Sequence, residues 1–353
     1  MKILFIITGL GMGGAEKVVC ELADQLYLKG HHVSILYLTG NAVRLPKSPI
    51  EIKKISLTKG PKIFLTLKSI LNLVNDLKPD VIHSHMFHAN IVARLIKFFY
   101  RNIRVICSSH SSFEGGRARM NLYRMTENLC DVHTNVSKNA AKKLELAGAT
   151  KNKKIISIYN GININHYRNI NNNRFDLLSG LDIDPNKKII MTIGRIDVPK
   201  DYPNLLNAFK LVVEKISNVH LVIVGDGPLK GEIVNLAKEL GIDNQVSFIG
   251  IRQDIPQLLN ACDLFVSASA WEGFGIAILE AMICEKPVIA TNTDGALELL
   301  PREKLIPCKD HISLASKIIE QLKTEKSVYY DIEQYDWSHI INQWMDLYNG
   351  AFK

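Results

Sequence analysis

The sequence predicts an α/β protein built from two parallel-sheet domains, and two observations carry this prediction. Short β-rich runs alternate with longer helical patterns through both halves of the 353 residues, which is typical of parallel sheets wrapped by helices. This length suits two domains of roughly 150 to 200 residues, each large enough for a core of its own. We therefore expect two sheet domains joined by a linker.

The predicted strands form two groups separated by an asparagine-rich stretch. In the first half they lie near residues 3–8, 33–38, 81–83, 104–108, 132–135 and 155–158, and in the second half near 189–193, 219–224, 246–249, 264–267 and 287–290. We place the first domain at 1–165, the linker at 166–186 and the second domain at 187–335. Residues 336–353 predict an amphipathic helix that we expect to return to the first domain.

Composition limits the classes of protein to which the chain can belong. No apolar run approaches the length of about 20 residues that crosses a bilayer. The short apolar N-terminus runs into a glycine loop without a signal-peptide cleavage site, so it predicts a first strand. The six cysteines are scattered without a C-x-x-C pair, which is typical of reduced thiols in a cytoplasm.

The two halves differ in charge. Residues 1–175 contain 26 Lys and Arg against 10 Asp and Glu, whereas residues 176–353 contain 17 against 25. A basic half invites nucleic acid, anionic lipid or a phosphorylated acceptor. The stretch RLIKFFYRNIR at 94–104 mixes four cations with three aromatic rings, which suits a membrane interface; the alternative is a core-facing helix with a solvated basic side. No zinc-finger spacing or RNP-type sequence is present, so nucleic acid is not expected.

A glycine-rich loop follows the first predicted strand. Gly9, Gly11 and Gly14 satisfy G-x-G-x-x-G, but a dinucleotide site also needs an acid about 20 residues further on to hold a ribose. The chain has no acidic residue between Asp24 and Glu51. A dinucleotide-binding dehydrogenase is therefore not supported. Approach of the loop to a phosphate remains open, with a simple tight turn as the alternative.

Histidines follow two further predicted strands. Three of them lie between His83 and His88, and His110 follows the next strand. No acidic or cysteine ligand accompanies them, so a metal site is not favoured. Hydrogen bonding to a sugar or to an acceptor substrate suits these histidines better. His110 is placed for polar contact or proton handling, and a capped structural histidine is the alternative.

Two loops of the second half carry charged side chains. Arg195 and Lys200 follow a predicted strand and could converge on a pyrophosphate, although two cations on a surface loop also occur by chance. The stretch WEGFGIAILEAM at 271–282 places Glu272 on a loop and Glu280 inside the helix that follows it. The first amides of that helix favour an anion, and the two carboxylates suit the hydroxyls of a sugar.

Together these segments resemble the family-4 retaining glycosyltransferases of the GT-B fold over nearly the whole chain. The segments similar to motifs of that family are GGAE (13–16), HSHMFHAN (83–90), VSKNAAKKL (136–144), YNGIN (159–163), GRIDVPKDYPNLLNAF (194–209), VGDGP (224–228) and SASAWEGFGIAILEAM (267–282). The last segment is specific when it is joined to the Arg195 and Lys200 loop. One departure is Asp294-Gly295-Ala296, where a second glycine often occurs.

The resemblance implies two Rossmann-like domains that face each other across a cleft, with the C-terminal helix packing back across the boundary. It implies transfer of a sugar from a nucleotide sugar with retention at the anomeric carbon, without an essential metal or other cofactor, and UDP is expected from its frequency in the family. In the accepted picture the leaving phosphate takes the acceptor proton, so no carboxylate nucleophile is needed, and the enzyme supplies positioning and charge stabilisation.

The resemblance also assigns residues. Arg195 and Lys200 would hold the donor diphosphate, Glu280 the ribose hydroxyls and Glu272 the donor sugar, while His110 would lie near the reacting sugar. The expected catalytic residues are thus His110, Glu272, Arg195 and Lys200. Further donor contacts are expected from Gly13, Gly14, Gly273, Phe274, Gly275 and Ile276. Nucleobase contacts are expected from Gly250, Ile251 and Arg252, and acceptor contacts from His85 and Asn90.

The basic first half suits members of that family that act on lipid-linked acceptors in bacterial surface-polysaccharide assembly, such as lipopolysaccharide or O-antigen. We therefore expect a peripheral protein on the inner face of the cytoplasmic membrane, with a nucleotide-sugar donor, a saccharide acceptor and an anionic membrane surface as partners. Two other functions stay open. They are a nucleotide-sugar epimerase of the same fold and a catalytically silent sugar-nucleotide-binding protein.

Overall fold

The computed structural model describes residues 1–58, 60, 63–168, 170, 173–324 and 329–351. The chain forms two compact units, the first made of Met1–Ile162 with Tyr335–Lys353 and the second of Asn163–Gln334. Each unit contains a parallel sheet flanked by helices. The predicted α/β class with two sheets is therefore confirmed.

The sheet of the first unit has seven parallel strands. They are β1 (Lys2–Gly9), β2 (His32–Thr39), β3 (Glu51–Lys54), β4 (Val81–His85), β5 (Arg104–Ser109), β6 (Val132–Asn135) and β7 (Ile156–Ser157). Their order is β3-β2-β1-β4-β5-β6-β7. The helices between them are α1 (Gly14–Leu28), α2 (Ile63–Leu77), α3 (Phe87–Phe99), α4 (Arg117–Met125) and α5 (Lys138–Leu146).

The central strands are continuous apolar runs because helices cover both of their faces. In β1 the five residues from Ile3 to Ile7 are at most 2% exposed. Strand β3 was not predicted, because three side chains of Glu51–Lys54 are exposed at the sheet edge and the strand therefore lacks the apolar signal of its neighbours.

The second unit has a six-stranded parallel sheet. Its strands are β8 (Lys188–Ile193), β9 (Val219–Val224), β10 (Val246–Gly250), β11 (Leu264–Ser267), β12 (Val288–Thr291) and β13 (Leu305–Ile306), in the order β10-β9-β8-β11-β12-β13. Its helices are α6 (Ile164–Arg168), α7 (Arg174–Ser179), α8 (Tyr202–Val213), α9 (Lys230–Glu239), α10 (Ile255–Ala261), α11 (Ile276–Ile283), α12 (Ala296–Leu299) and α13 (His311–Lys323). The end of helix α6 and the whole of α7 fall in the stretch 166–186 that was expected to be a linker.

The strand order reverses once in each sheet, and this reversal decides where a ligand can bind. In the first unit the chain moves outward from β1 to β2 and then returns to β4 on the other side of β1. In the second unit the chain moves from β8 outward to β9 and β10 and then returns to β11 on the other side of β8. Open α/β sheets bind ligands outside the carboxyl ends of the strands at such points. The loops after β1, β4, β8 and β11 are therefore the candidates for a site.

The chain ends in helix α14 (Trp337–Asn349), which belongs to the first unit. Its apolar face packs with β1 and α1 in one core. A Cβ atom on Gly161 would lie 2.3 Å from the Trp337 ring, so only glycine allows the ring to pack there. Among the described residues, no helix is long and apolar enough to cross a bilayer.

Candidate functional site

Lys200 and Glu272 meet in the second unit, where the sheet reverses its strand order. Lys200 ends a 3₁₀ turn, Val198–Lys200, after β8, and Glu272 lies on the loop between β11 and α11. The Lys200 Nζ atom is 2.7 Å from Glu272 Oε1, and both side chains are mostly buried. The other carboxylate oxygen, Oε2, accepts a hydrogen bond from Ser269 Oγ at 3.2 Å. The structure therefore brings together two residues that the sequence analysis placed on separate loops.

Backbone contacts hold these two loops against each other. The amide of Ala270 donates to the carbonyl of Pro199 at 2.8 Å. The Thr291 hydroxyl at the end of β12 donates to the carbonyls of Ser267 and Ser269. The Tyr202 hydroxyl donates to the carbonyl of Gly194 at 3.0 Å. The loops that carry Lys200 and Glu272 are thus held by hydrogen bonds to their main-chain carbonyls, as a preorganised site requires.

The glycines of VGDGP pack directly under the Arg195 loop. A Cβ atom on Gly225 would lie 2.0 Å from the carbonyl oxygen of Gly194, and the φ angle of Gly225 is +137°. A Cβ atom on Gly227 would lie 2.2 Å from the carbonyl oxygen of Ile196. Both positions require glycine, for closeness and, at Gly225, for conformation as well. The VGDGP segment therefore supports the loop that carries the two cations.

Arg195 is the accessible cation of the site. Its side chain is 64% exposed, and its Nε atom lies 3.6 Å from Asp197 Oδ2. Burial raises the pKa of the Asp197 carboxyl, with a further contribution from the Glu272 charge, while Arg195 and Lys200 oppose the shift. Because this long contact is exposed, it holds the guanidinium weakly. Arg195 can turn toward an anion at little cost.

Glu280 lies in α11, which begins at Ile276 after Gly275 in the left-handed conformation (φ +90°). Its side chain is only 5% exposed, and Oε1 accepts a hydrogen bond from the Tyr167 hydroxyl at 2.8 Å. Tyr167 lies in α6, a helix the sequence analysis did not predict. No motif at Tyr167 signalled this contact, which orients the carboxylate that the family resemblance assigns to ribose.

The turn from Glu272 to Gly275 leads into the first amides of α11, and Gly295 supports it from below. A Cβ atom on Gly295 would lie 2.2 Å from the backbone carbonyl of Phe274. The Gly295 amide also donates to the carbonyl of Glu272 at 3.2 Å. The segment Asp294-Gly295-Ala296, which departs from the family pattern, therefore retains glycine where the packing needs it. Gly273 and Ile276 complete this turn and the start of the helix.

The expected nucleobase residues follow β10 at the edge of the second sheet. Gly250 has φ +70°, and the Ile251 side chain is 54% exposed. The Arg252 guanidinium forms two hydrogen bonds with Asp254, of 2.8 and 2.6 Å. Asp254 thus engages the Arg252 side chain in a fork-shaped pair, while the Ile251 side chain stays exposed.

His110 follows β5 in the first unit and is joined to a buried histidine. Its Nε2 atom is 2.9 Å from Nδ1 of His85. His85 is 1% exposed and packs against the rings of Phe5 and His83. Burial lowers the pKa of His110 to about 4. Burial also lowers the pKa of His85. Both imidazoles are therefore neutral near pH 7, and one N–H proton lies between the two facing nitrogens.

The two expected acceptor-side residues lie in the interior. Asn90 is fully buried and bonds through its side chain to Ser84, the Ser108 carbonyl and the Tyr123 hydroxyl. His85 is buried beneath His110. The expectation that His85 and Asn90 contact an acceptor is therefore not met, because neither side chain reaches a surface. Sequence alone does not distinguish a polar group at a strand end from one packed under it.

Gly13 precedes α1 in an extended conformation, with φ −81°. A Cβ atom on Gly13 would lie 2.4 Å from Glu16 Oε2. The neighbour at this position is the Glu16 carboxylate, the end of a flexible side chain, which stands at the N-terminus of the helix, where negative charge is favourable. A phosphate that approached Gly13 and Gly14 would meet this carboxylate.

Most cations of the basic stretch 94–104 make contacts within the first unit, while Phe98 and Phe99 are 57% and 56% exposed. Arg94 is 1% exposed, and its guanidinium donates to the Tyr123 carbonyl at 2.7 Å. Lys97 pairs with Asp131 at 2.8 Å, and Arg104 Nε donates to the Leu347 carbonyl of α14. Three of the four cations thus serve internal contacts. The stretch also lies where α3 leads into β5, at the amino ends of the strands and opposite His110.

Comparison with known families covers both units. Residues 174–335 match the family described as Glycosyl transferases group 1, and residues 12–166 match Glycosyltransferase Family 4. N-acetyl-alpha-D-glucosaminyl L-malate synthase of Bacillus anthracis is 28% identical over 372 residues, with 97% of this chain and 95% of the relative covered.

Two further comparisons extend this result. N-acetylgalactosamine-N,N'-diacetylbacillosaminyl-diphospho-undecaprenol 4-alpha-N-acetylgalactosaminyltransferase of Campylobacter jejuni is 26% identical, with 84% of this chain and 83% of the relative covered. The crystal structure of HepE from Anabaena in complex with UDP-glucose superposes with a TM-score of 0.87 at 23% identity, over 99% of this chain and 100% of that one. Fold, family models and relatives agree, and the chain belongs to the family-4 glycosyltransferases of the GT-B fold.

Proposed function

We propose that this glycosyltransferase transfers a sugar from a UDP-linked donor, with retention at the anomeric carbon, to a lipid-linked saccharide acceptor. The observation that carries the proposal is the contact between Lys200 and Glu272 beside the exposed Arg195. It places two cations and one carboxylate at the carboxyl ends of strands β8 and β11, which suits a ligand with both phosphates and hydroxyls. The UDP-glucose bound to HepE supports uridine as the base.

The charges fit a transfer in which a diphosphate leaves. The bond between the anomeric carbon and the phosphate oxygen breaks, and the acceptor oxygen bonds to that carbon from the same face. The acceptor proton passes to the phosphate oxygen that leaves. Arg195 and Lys200 stabilise the charge that develops there, and Glu272 accepts hydrogen bonds from sugar hydroxyls. Glu280, oriented by Tyr167, accepts from the ribose.

The lipid-linked acceptor is supported by the Campylobacter relative, whose name specifies a diphospho-undecaprenol substrate. The basic first half adds to this support, because it attracts anionic lipid and pyrophosphate. The protein would then work as a peripheral enzyme of surface-polysaccharide assembly, at the inner face of the cytoplasmic membrane. The Bacillus anthracis relative is named for L-malate instead, so a small hydroxy acid is the competing acceptor.

The surface that would meet the membrane is the first turn of α2. Ile63, Phe64 and Leu65 are 45%, 74% and 67% exposed, and Lys68 follows them one turn later as an exposed cation. Helix α2 begins after the carboxyl end of β3, and His110 follows the carboxyl end of β5, so both lie at the same end of the parallel strands. Apolar side chains beside lysines are the combination that docks a helix on anionic lipid.

The test is product analysis. The protein is incubated with a panel of nucleotide sugars and either undecaprenyl-diphosphate-linked acceptors or L-malate, and the product linkage is read by NMR. We expect an α-linked product from an α-linked UDP-sugar and the lipid-linked acceptor. An inverted linkage contradicts retention, and a malate product contradicts the lipid-linked acceptor. Isomerised nucleotide sugar in reactions without acceptor indicates an epimerase.

A further inference from the structure

His85 and His110 are neutral rings joined by a single hydrogen bond, which holds one proton between two facing nitrogens. The atoms that face each other are Nδ1 of His85 and Nε2 of His110, 2.9 Å apart. One of these nitrogens carries the proton, and the other accepts it. A neutral imidazole carries one proton, so if the facing nitrogen is protonated the other ring nitrogen is not, and the reverse. The question is therefore which nitrogen of His85 is protonated.

The surroundings of His85 answer it. Its second nitrogen, Nε2, is buried and has no hydrogen-bond partner within the described part of the chain. If His110 donated to His85, then His85 would carry its proton on Nε2, and an N–H group would be buried without an acceptor. If His85 donates instead, only a lone pair is left unsatisfied there. Buried N–H groups without a partner are rarer in folded proteins than acceptors with spare capacity.

We propose that His85 is a positioning residue that donates from Nδ1 to His110 and thereby fixes His110 as the tautomer protonated on Nδ1. The Nδ1 atom of His110 makes no hydrogen bond with the residues that the structure describes. His110 then presents an N–H group to its ligand and cannot accept a proton at that atom.

This tautomer decides between the two roles that the sequence left open for His110. A fixed donor binds an oxygen of a sugar, whereas a general base needs a free lone pair. His110 therefore contacts and orients the sugar and takes no proton from it. This reading of the ligand rests on the proposed function. It agrees with transfer of the acceptor proton to the leaving phosphate.

The rest of the cluster holds His85 in place. The His83 ring lies 4.1 Å from the His85 ring, measured between centroids. His83 is bonded on both sides, to the Tyr348 hydroxyl at 2.8 Å and to Ser108 Oγ at 2.7 Å. Tyr348 lies in α14. The C-terminal helix thus supports the ring that packs on His85, which gives its docking a role at the site.

The experiment is a long-range ¹H–¹⁵N correlation spectrum of the full-length ¹⁵N-labelled protein at neutral pH without any nucleotide. The His110 signals are identified by their disappearance in His110→Asn. We expect Nδ1 to resonate as a protonated, pyrrole-type nitrogen and Nε2 as a bare, pyridine-type nitrogen. The reverse pattern, or a rapid average of both tautomers, overturns the proposal. This measurement on the native protein depends on no core variant folding.

Variants then test whether His85 is the cause. His85→Asn keeps an N–H donor near the position of Nδ1, and it should preserve the His110 pattern. His85→Leu removes the donor, and the two His110 signals should move toward the average of the tautomers. His133→Asn is the matched control, because that equally buried ring bonds Ser109 and Arg94. An unchanged pattern in His85→Leu overturns the role of His85. Lack of transferase activity would overturn the proposed function and leave the tautomer result standing.

Discussion

The Lys200 Nζ atom lies 2.7 Å from Glu272 Oε1, and this salt bridge joins the two loops on either side of the strand reversal in the second sheet. The pair is partly buried, and Ser269 holds the second carboxylate oxygen. Each member of such a pair limits where the other can point. A donor that binds there must therefore interact with both residues together.

Replacing either member should abolish most of the turnover. For Lys200→Ala and Glu272→Gln we expect kcat to fall by about 100-fold or more, as is typical when a preorganised charge at the reacting centre is lost. Circular dichroism should show a retained fold. The control is Lys230→Ala, which removes an exposed pair with Asp226 and should leave kcat unchanged. Full activity in Lys200→Ala or Glu272→Gln would refute the assignment of the site.

The glycine packing under the Arg195 loop predicts a sharp difference between two substitutions. Gly225→Ala places a methyl group 2.0 Å from the Gly194 carbonyl at φ +137°, so it should destabilise the second unit by more than about 1 kcal/mol. Gly231→Ala lies in α9 with open space around its Cβ position, and should stabilise by about 0.5–1 kcal/mol. Urea unfolding monitored by circular dichroism measures both. Equal effects would contradict the close approach.

The sequence predicted the strands and the loops of the site because both depend on local signals. Central parallel strands are long apolar runs, and β9 and β11 begin and end where they were predicted. Loops at the carboxyl ends of strands carry the polar residues, which located Arg195, Lys200 and Glu272. The edge strand Glu51–Lys54 was missed, since its charged side chains are exposed.

Contacts between residues far apart in sequence could not be predicted from these signals. The Tyr167 hydroxyl reaches Glu280 across 113 positions, and no local pattern at α6 marks it. Arg94 has the sequence context of a surface cation, yet it is buried with carbonyl and hydroxyl partners. Periodicity places a residue on one face of a helix, and tertiary packing decides whether that face meets solvent.

The docking of α14 predicts a large loss of stability when Trp337 is shortened. Its side chain is 4% exposed and packs on Gly161. We expect Trp337→Ala to destabilise the first unit by about 3–5 kcal/mol, the usual cost of removing a large buried aromatic side chain. Differential scanning calorimetry measures this change, with the exposed Tyr329→Ala as the control. A loss below about 1 kcal/mol would mean that the helix is not part of this core.

Buried histidines predict a loss of stability in mild acid. Burial, with a contribution from Lys187, lowers the pKa of His220 to about 4, while an unfolded histidine titrates near about 6.5. Between these values the unfolded chain binds the additional proton, so stability rises with pH through this window and levels off above it. Each such histidine contributes about 1.4 kcal/mol per pH unit there.

The comparison is urea unfolding at pH 7 and pH 5 for the native protein and His220→Gln. The variant should lose less stability between the two pH values than the native protein, whatever its stability at pH 7. His339→Gln changes an exposed side chain and should retain the native pH dependence. An identical pH dependence in His220→Gln would show that His220 is not held neutral by its burial.

The apolar first turn of α2 predicts binding to anionic vesicles that depends on a few side chains. Phe64 and Leu65 are 74% and 67% exposed, so replacing both with serine removes little packing from the fold. It should weaken binding to phosphatidylglycerol vesicles by about 10-fold or more, since burying an aromatic and an aliphatic side chain contributes about 1.5–3 kcal/mol each when complete.

The matched control replaces Phe98 and Phe99, which are exposed to a similar degree at 57% and 56% but lie at the amino ends of the strands. Vesicle co-sedimentation at low and high salt measures both double variants, because lysines near anionic lipid make binding salt-sensitive. If α2 docks on the membrane, the Phe64 and Leu65 variant loses binding and the control retains it. The opposite result would assign docking to α3, and equal binding by both variants would leave neither helix as the docking surface. Docking through α2 brings the lipid to the carboxyl ends of the strands, where His110 lies, as a lipid-linked acceptor requires.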